Sequence, residues 1–254
     1  MGDIQGCFDE YLELLARITP GPSDPLILLG DTVNRGPLSL EMARHLMASG
    51  DEIQAVLGNH ELHVARTLLR QSAPASSSAS WALRMTKKEQ REWLEQVLAW
   101  PLYRESEDWI ALHGGIPPNW TLEEFRGRCS DASTTLQHHP EAALIGGGKM
   151  GEITRETLAT LTNLRFVDLN GNPVYGHKGP LADAPAELLP WFRHPRTLKR
   201  EPTIYFGHWA ALGVFQETNI HCLDGGCVWG GVLAAWHHET RRLESIESYQ
   251  AKRA

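Results

Sequence analysis

The stretch Leu26-Ile27-Leu28-Leu29-Gly30-Asp31-Thr32-Val33-Asn34-Arg35-Gly36 decides the reading of this chain. Four apolar residues suit a buried strand, and the glycine after them lets the backbone turn sharply into a polar segment. The pattern returns as Val56-Leu57-Gly58-Asn59-His60-Glu61, Ile110-Ala111-Leu112-His113-Gly114-Gly115 and Tyr205-Phe206-Gly207-His208. Each apolar run leads into a side chain able to ligate a metal ion. In open α/β sheets ligands bind beyond the carboxyl ends of the strands, so Asp31, Asn59, His113 and His208 are expected on one edge. A fifth member, Gly2-Asp3-Ile4-Gln5-Gly6, opens the chain. Asp3, Asp31 and Asn59 follow one another at equal intervals of 28 residues, each the length of one βαβ crossover.

The surrounding pattern agrees. Apolar spacing predicts a helix over 8–18 through Leu12, Leu15 and Ile18, and another over 38–49 through Leu40, Ala43, Leu46 and Met47, with Ser39 as its cap. Further helices are expected over 61–70 and 87–98, and strands over 26–29, 53–57 and 109–112. This is the rhythm of a parallel sheet with crossover helices. Residues 71–80, rich in Ser, Ala and Pro, read as an exposed loop. Residues 121–165 read as mostly helical, broken at Gly146-Gly147-Gly148, and 171–190 as a Gly/Pro-rich loop stretch. Strands at 203–206, 220–223 and 231–236 are separated by glycines, as antiparallel strands often are. With no repeat and no strong linker, a single α/β domain over 1–254 is expected.

At 42% hydrophobic and 22% charged residues the composition is that of an ordinary globular protein. A net charge of −7 excludes a non-specific nucleic-acid binder with a basic face. It leaves room for a phosphate substrate, because bound metal ions supply local positive charge. Cys7, Cys129, Cys222 and Cys227 form no CxxC pair, so free thiols in a reducing cytoplasm are expected. No apolar run approaches the roughly 20 residues that span a bilayer, and no membrane partner is expected.

The strand-end ligands offer oxygen and imidazole but no thiolate. That donor set suits manganese, cobalt, iron or zinc better than a thiolate zinc site does. A carboxylate at Asp31 is placed to bridge two ions ~3.5–4 Å apart, the spacing at which phosphatases activate water.

Gly2-Asp3-Ile4-Gln5-Gly6, Gly30-Asp31-Thr32-Val33-Asn34-Arg35-Gly36, Gly58-Asn59-His60-Glu61 and Leu112-His113-Gly114-Gly115 resemble the motifs of the calcineurin-like metallophosphatases, in the branch shared with phosphoprotein phosphatases. Arg35-Gly36-Pro37-Leu38-Ser39-Leu40, Pro190-Trp191-Phe192, Gly207-His208-Trp209-Ala210 and the run from Leu223 to Gly231 resemble the symmetrical bis(5'-nucleosyl)-tetraphosphatases. The resemblance covers nearly the whole chain and is weakest over 71–95 and 140–185. It implies a calcineurin-like sandwich of two mixed sheets flanked by helices, and hydrolysis of diadenosine tetraphosphate to two ADP. It also implies two divalent ions, manganese or cobalt foremost, with iron, zinc and magnesium as alternatives. One ion would sit at Asp3 and Asp31, with Gln5 beside it, and the other at Asp31, Asn59, His113 and His208. His60 would be the general acid. Arg35, and Arg165 in Asn163-Leu164-Arg165-Phe166, would bind phosphate oxygens through forked donors. Capped RNA 5' ends are a further substrate by resemblance.

Three departures stand out. Gln5 replaces a histidine of the phosphoprotein phosphatases and offers only an amide oxygen. Asn34 replaces an aspartate that would orient and charge-stabilise His60. Only Met1 precedes Gly2-Asp3, where related proteins carry a strand, so either the start is misassigned or Asp3 is expected on a poorly anchored end.

Blander readings compete. Trp209 and Trp229 flank the site and either stack a substrate base or pack in the core, with Trp209 taken as the substrate-binding candidate. Arg165 is a phosphate ligand or a surface charge on a helix. Gly146-Gly147-Gly148-Lys149 lacks the GxxxxGK[ST] pattern and reads as a flexible loop. Two other functions share the motifs: a protein serine/threonine or small phosphomonoester phosphatase, and a metal-binding regulatory protein without catalysis.

Overall fold

A computed structural model describes all residues except 22–23, 51–52, 75–76, 147, 198–201 and 251–254. The segment before the first helix is held on both sides. The Met1 ammonium donates to the Ile27 carbonyl at 2.8 Å, Leu29 N–H donates to Met1 O at 2.9 Å, and Gly2 N–H donates to Ala234 O at 2.9 Å. Asp3 is 4% exposed, so the expectation of a poorly anchored end is corrected: pairing to chain segments both near and far fixes it.

Helix α1 (Phe8–Ile18) follows, then strand β1 (Ile27–Leu28), α2 (Ser39–Ser49), β2 (Gln54–Ala55), α3 (Asn59–Arg70), α4 (Lys87–Leu98), β3 (Tyr103–Glu105) and β4 (Trp109–Leu112). Next come α5 (Leu122–His138), α6 (Pro140–Leu144), α7 (Gly148–Asn163), β5 (Phe166–Asp168), β6 (Pro173–Val174) and β7 (Leu188–Pro190). The chain continues with β8 (Thr203–Phe206), β9 (Phe215–Glu217), β10 (Ile220–Cys222), β11 (Val232–His237) and β12 (Arg242–Glu247). Some expectations shift. The buried face of α1 runs through Tyr11 and Leu14, while Leu12 is 42% exposed. Ser39 is the first residue of α2 rather than its cap, and its hydroxyl donates to Gly36 O. The 171–190 stretch contributes β6 and β7, which flank β5 in a small antiparallel sheet.

Two layers face each other. In the first, β1 pairs parallel with β2, β11 pairs antiparallel with β12, and residues 1–3 bridge β1 to β11. The second has the order β3-β4-β8-β10-β9. Its β4, β8 and β10 are parallel and its edge strands antiparallel. The expected antiparallel relation of 203–206 to 220–223 is therefore corrected, because the intervening β9 takes the antiparallel place beside β10. Leu29 and Trp236 from one layer pack with Ala111, Tyr205 and Leu223 from the other. Helix α1 lies against β11 and β12, and α5, α6 and α7 pack on one another. This is the expected mixed α/β sandwich. All four cysteines are buried. Among the described residues no helix is long and apolar enough to cross a membrane.

Candidate active site

The strand ends converge as the motif spacing requires. The ligand atoms of Asp31, His113 and His208 all lie within 4.8 Å of one another. Asp31 is 1% exposed, and its Oδ1 accepts from His60 N–H at 2.8 Å and lies 3.3 Å from His113 Nε2. Its Oδ2 accepts from Gln5 Nε2 at 3.3 Å. Asn59 Oδ1 sits 3.1 Å from His113 Nε2. Asp3 joins the group from the other side, where its Oδ1 accepts from His208 N–H at 3.0 Å.

The backbone here is held under strain. Nine described non-glycine residues have positive φ, and five of them are Gln5, Asp31, Asn34, Arg35 and His208. Such conformations cost of order 1–3 kcal/mol each and persist only where surrounding contacts over-determine them. Buried Glu61 is one such anchor. Its carboxylate accepts from the N–H of Asp31 at 2.8 Å, of Thr32 at 2.7 Å and of Gly58 at 3.0 Å, and from the Thr32 hydroxyl at 2.9 Å. A side chain at position 58 would place its Cβ 2.3 Å from Asp31 Oδ1, so only glycine lets the two loops close.

The electrostatics describe a place that calls for cations. Asp3, Asp31, Glu61 and Asp224 are all buried. Burial, then Asp224 and Asp31, pushes the Asp3 carboxyl well above its usual range. Burial, reinforced by Asp31, raises Asp224 to about 6. Burial opposes ionisation of Asp31, yet His113 and then His60 hold its carboxyl well below the usual range. Burial lowers His208 well below its usual range, with Arg165 adding to the effect.

The donor atoms fit metal ions. His113 Nδ1 is 2.7 Å from Leu29 O, which assigns the ring proton to Nδ1. Nε2 then lies 3.1 Å from Asn59 Oδ1 and 3.3 Å from Asp31 Oδ1; burial opposes protonation of the ring, but Asp31 raises the imidazole, so a proton held here marks the place a cation would take. Asp3 Oδ2, Gln5 Oε1 and His208 Nε2 are buried with no hydrogen-bond partner. Groups of this kind are costly to bury unless something satisfies them. The free Gln5 oxygen is the atom its amide would offer a cation.

Around this floor opens a cleft of about 750 Å³, lined among others by Arg35, His60, Arg165, Lys178, Asp224 and Trp229. Arg35 Nε donates to His60 Nε2 at 3.2 Å, and its guanidinium lies 5.0 Å from the centre of the Trp229 ring. Arg165 Nη2 donates to His208 O at 2.9 Å, which puts Arg165 in the cleft rather than on a helix surface. Asn34 does not bond to His60; its Oδ1 accepts from the Trp81 indole at 2.8 Å.

Trp209 corrects an expectation. Its ring is 1% exposed, packed edge-on against Phe166, and its Nε1 donates to Gly179 O at 3.2 Å. It has no free face for a substrate base, whereas Trp229 is 64% exposed. Glu61 and Asp224 were present in the motifs without an assigned role; the carboxylate within Leu223-Asp224-Gly225 was the available signal for the second.

The chain belongs to the calcineurin-like phosphoesterases, whose family model matches residues 1–213. Among its curated relatives, a protein of Aromatoleum aromaticum named symmetrical bis(5'-nucleosyl)-tetraphosphatase is 34% identical, over 98% of this chain and 96% of its own length. A protein of Methylobacillus flagellatus with the same name is 34% identical over 99% of this chain and 95% of its own. Among solved structures, a candidate diadenosine tetraphosphatase superposes with a TM-score of 0.66 at 20% identity, over 97% of this chain and 91% of that one, which shows the shared fold.

Proposed function

We infer that this chain hydrolyses dinucleoside polyphosphates, cutting diadenosine tetraphosphate at its central bridge to give two ADP. The observation that carries this reading is the extent of the similarity. Relatives named for that activity match over 98% and 99% of the chain, so the likeness includes the cleft walls beyond residue 213 as well as the acidic floor. In the reaction, water adds across the central P–O–P link. Its oxygen joins one inner phosphorus, and the bridging oxygen leaves with the other ADP.

Asp3, Gln5, Asp31, Asn59, His113 and His208 would hold two divalent ions, which when bound supply Lewis acidity and activate water near neutral pH. Oxygen and imidazole donors without thiolate favour manganese or cobalt. Arg35 and Arg165 stabilise charge that develops on the phosphoryl oxygens. Arg35 has its Nε committed to His60, which leaves its terminal nitrogens to fork around phosphate. His60 Nε2 accepts from Arg35, so His60 assists departure of the bridging oxygen only once Nε2 has taken up a proton in place of that bond. Burial lowers the His60 imidazole and Arg35 adds to that, while Asp31 opposes it. A lowered imidazole takes up that proton less readily, so the assistance is modest, and ADP, a stabilised leaving group, requires little.

The test is chromatography of the products formed from diadenosine tetraphosphate with manganese or cobalt. ADP as sole product is expected. AMP with ATP, or free orthophosphate, would overturn the symmetrical reading, and absence of hydrolysis would overturn the enzyme reading.

A further inference from the structure

One cleft brings together two arginines and two aromatic rings. Arg35 joins His60 to the Trp229 ring through a 3.2 Å hydrogen bond and a 5.0 Å cation–π contact. Arg165 is bonded to the His208 carbonyl, and Tyr175 and Lys178, from the segment after β6, line the same cleft.

Both rings are available. Trp229 is 64% exposed and Tyr175 is 43% exposed, whereas the other aromatic residues near the floor, Trp209 and Phe166, are buried. Both rings are also fixed in place. Trp229 ends a single 3-10 turn, Cys227–Trp229, bounded by Gly226 at φ +68° and Gly230 at φ +91°. Those two glycines give the turn its left-handed ends, and Asp224 Oδ1 secures its start by accepting from Gly226 N–H at 3.0 Å. Arg35 covers one part of the indole. The Tyr175 hydroxyl is tied to the Thr160 hydroxyl of α7 at 2.9 Å, which orients its ring. An exposed apolar ring costs free energy unless something covers it, and a planar base covers it well.

We propose that Trp229 and Tyr175 are the two base platforms of the site, each stacking one nucleobase of a dinucleoside polyphosphate while Arg35 and Arg165 grip the phosphates between them. This rests on the functional reading above and deepens it. A substrate with a nucleoside at both ends finds two arginines and two exposed rings lining one cleft. Holding both ends centres the chain and places the middle bridge, rather than an outer one, over the buried carboxylates. Because stacking is sequence-tolerant, the arrangement accepts either purine; Lys178, lining the same cleft, adds charge for the phosphates.

The experiment compares Trp229→Ala and Tyr175→Ala with the parent protein on two manganese-supported substrates: diadenosine tetraphosphate and base-free inorganic tetraphosphate. Equilibrium binding of a methylene-bridged diadenosine tetraphosphate analogue is measured by calorimetry alongside. Stacking losses correspond to a rise in KM and in analogue Kd of about 5–100-fold for each variant on the dinucleotide. Base-free tetraphosphate should lose clearly less than the dinucleotide in each variant, since Trp229 also steadies Arg35, and Tyr175→Phe, which keeps the ring, should retain most of the analogue affinity. Unchanged analogue affinity in either variant overturns the proposal. So does an equal loss on both substrates, which would make the rings structural. A parent protein that hydrolyses neither substrate but binds the analogue through both rings would overturn the enzyme reading and leave the platforms standing, so the two failures are distinguishable.

Discussion

The floor and the walls of the cleft are built on opposite terms. On the floor, Asp31, His113, His208 and Asp3 are buried, and they are bonded to one another or to backbone far away in sequence. On the walls, Trp229, Tyr175 and Lys178 stand exposed with few contacts. The contrast separates two tasks. A buried set of carboxylates and imidazoles over-determines where charge sits and so fixes the chemistry. Exposed rings and cations are cheap to alter and so set what is held there. Changes to the floor should abolish turnover on every phosphate substrate, while changes to the walls should discriminate between substrates.

The sharpest break comes from Asp31→Asn. It keeps the shape but removes the charge at the centre of the floor, and it should lower kcat/KM on the order of 10³-fold on nucleotide and base-free substrates alike. Steady-state kinetics check this, and a wall-like, substrate-selective loss would erase the contrast. Glu61→Gln comes next. The residue touches no substrate, yet its two oxygens accept four hydrogen bonds from the loops that carry Asp31 and Asn59. An amide NH₂ would face at least one of those N–H groups, and manganese affinity should fall roughly 10–100-fold by calorimetric titration. Unaltered affinity would show that the loops close without it.

His60→Asn lies between floor and wall. His60 Nδ1 is buried with no hydrogen-bond partner among the described residues, and Asn34, in the position of an orienting aspartate, is engaged by Trp81. The loss should be only a few-fold on diadenosine tetraphosphate, where ADP leaves readily, but about 10²-fold on an alkyl phosphate that needs a proton at its departing oxygen. Equal losses on both would contradict the assignment. The smallest effect is expected from Trp81→Phe, which removes the indole hydrogen bond to buried Asn34 Oδ1 and should cost about 1–2 kcal/mol. For a chain of this size that is a fall in Tm of roughly 2–8 °C by calorimetry, with kcat nearly unchanged.

The same division governs what could be read from sequence. Floor residues lie where a short apolar strand meets glycine, and the even 28-residue spacing of Asp3, Asp31 and Asn59 betrays the crossovers that bring them together. The walls follow no local period. Trp209 and Trp229 look alike in sequence, yet contacts from Phe166 and Gly179 bury the first, and a glycine-bounded turn displays the second. The anchoring of Asp3 was equally invisible, because it depends on β11, more than two hundred residues away. Strand direction near the C-terminus was misread for a related reason: β9 lies between two strands that are parallel, and glycines mark turns without saying which strands pair.

The account stands or falls on where cations bind. Anomalous diffraction from crystals of the protein soaked in manganese measures this most directly. Two peaks are expected, both touching Asp31, one also reaching Asn59, His113 and His208 and the other Asp3. Ions bound elsewhere, with these side chains left unligated, would contradict it.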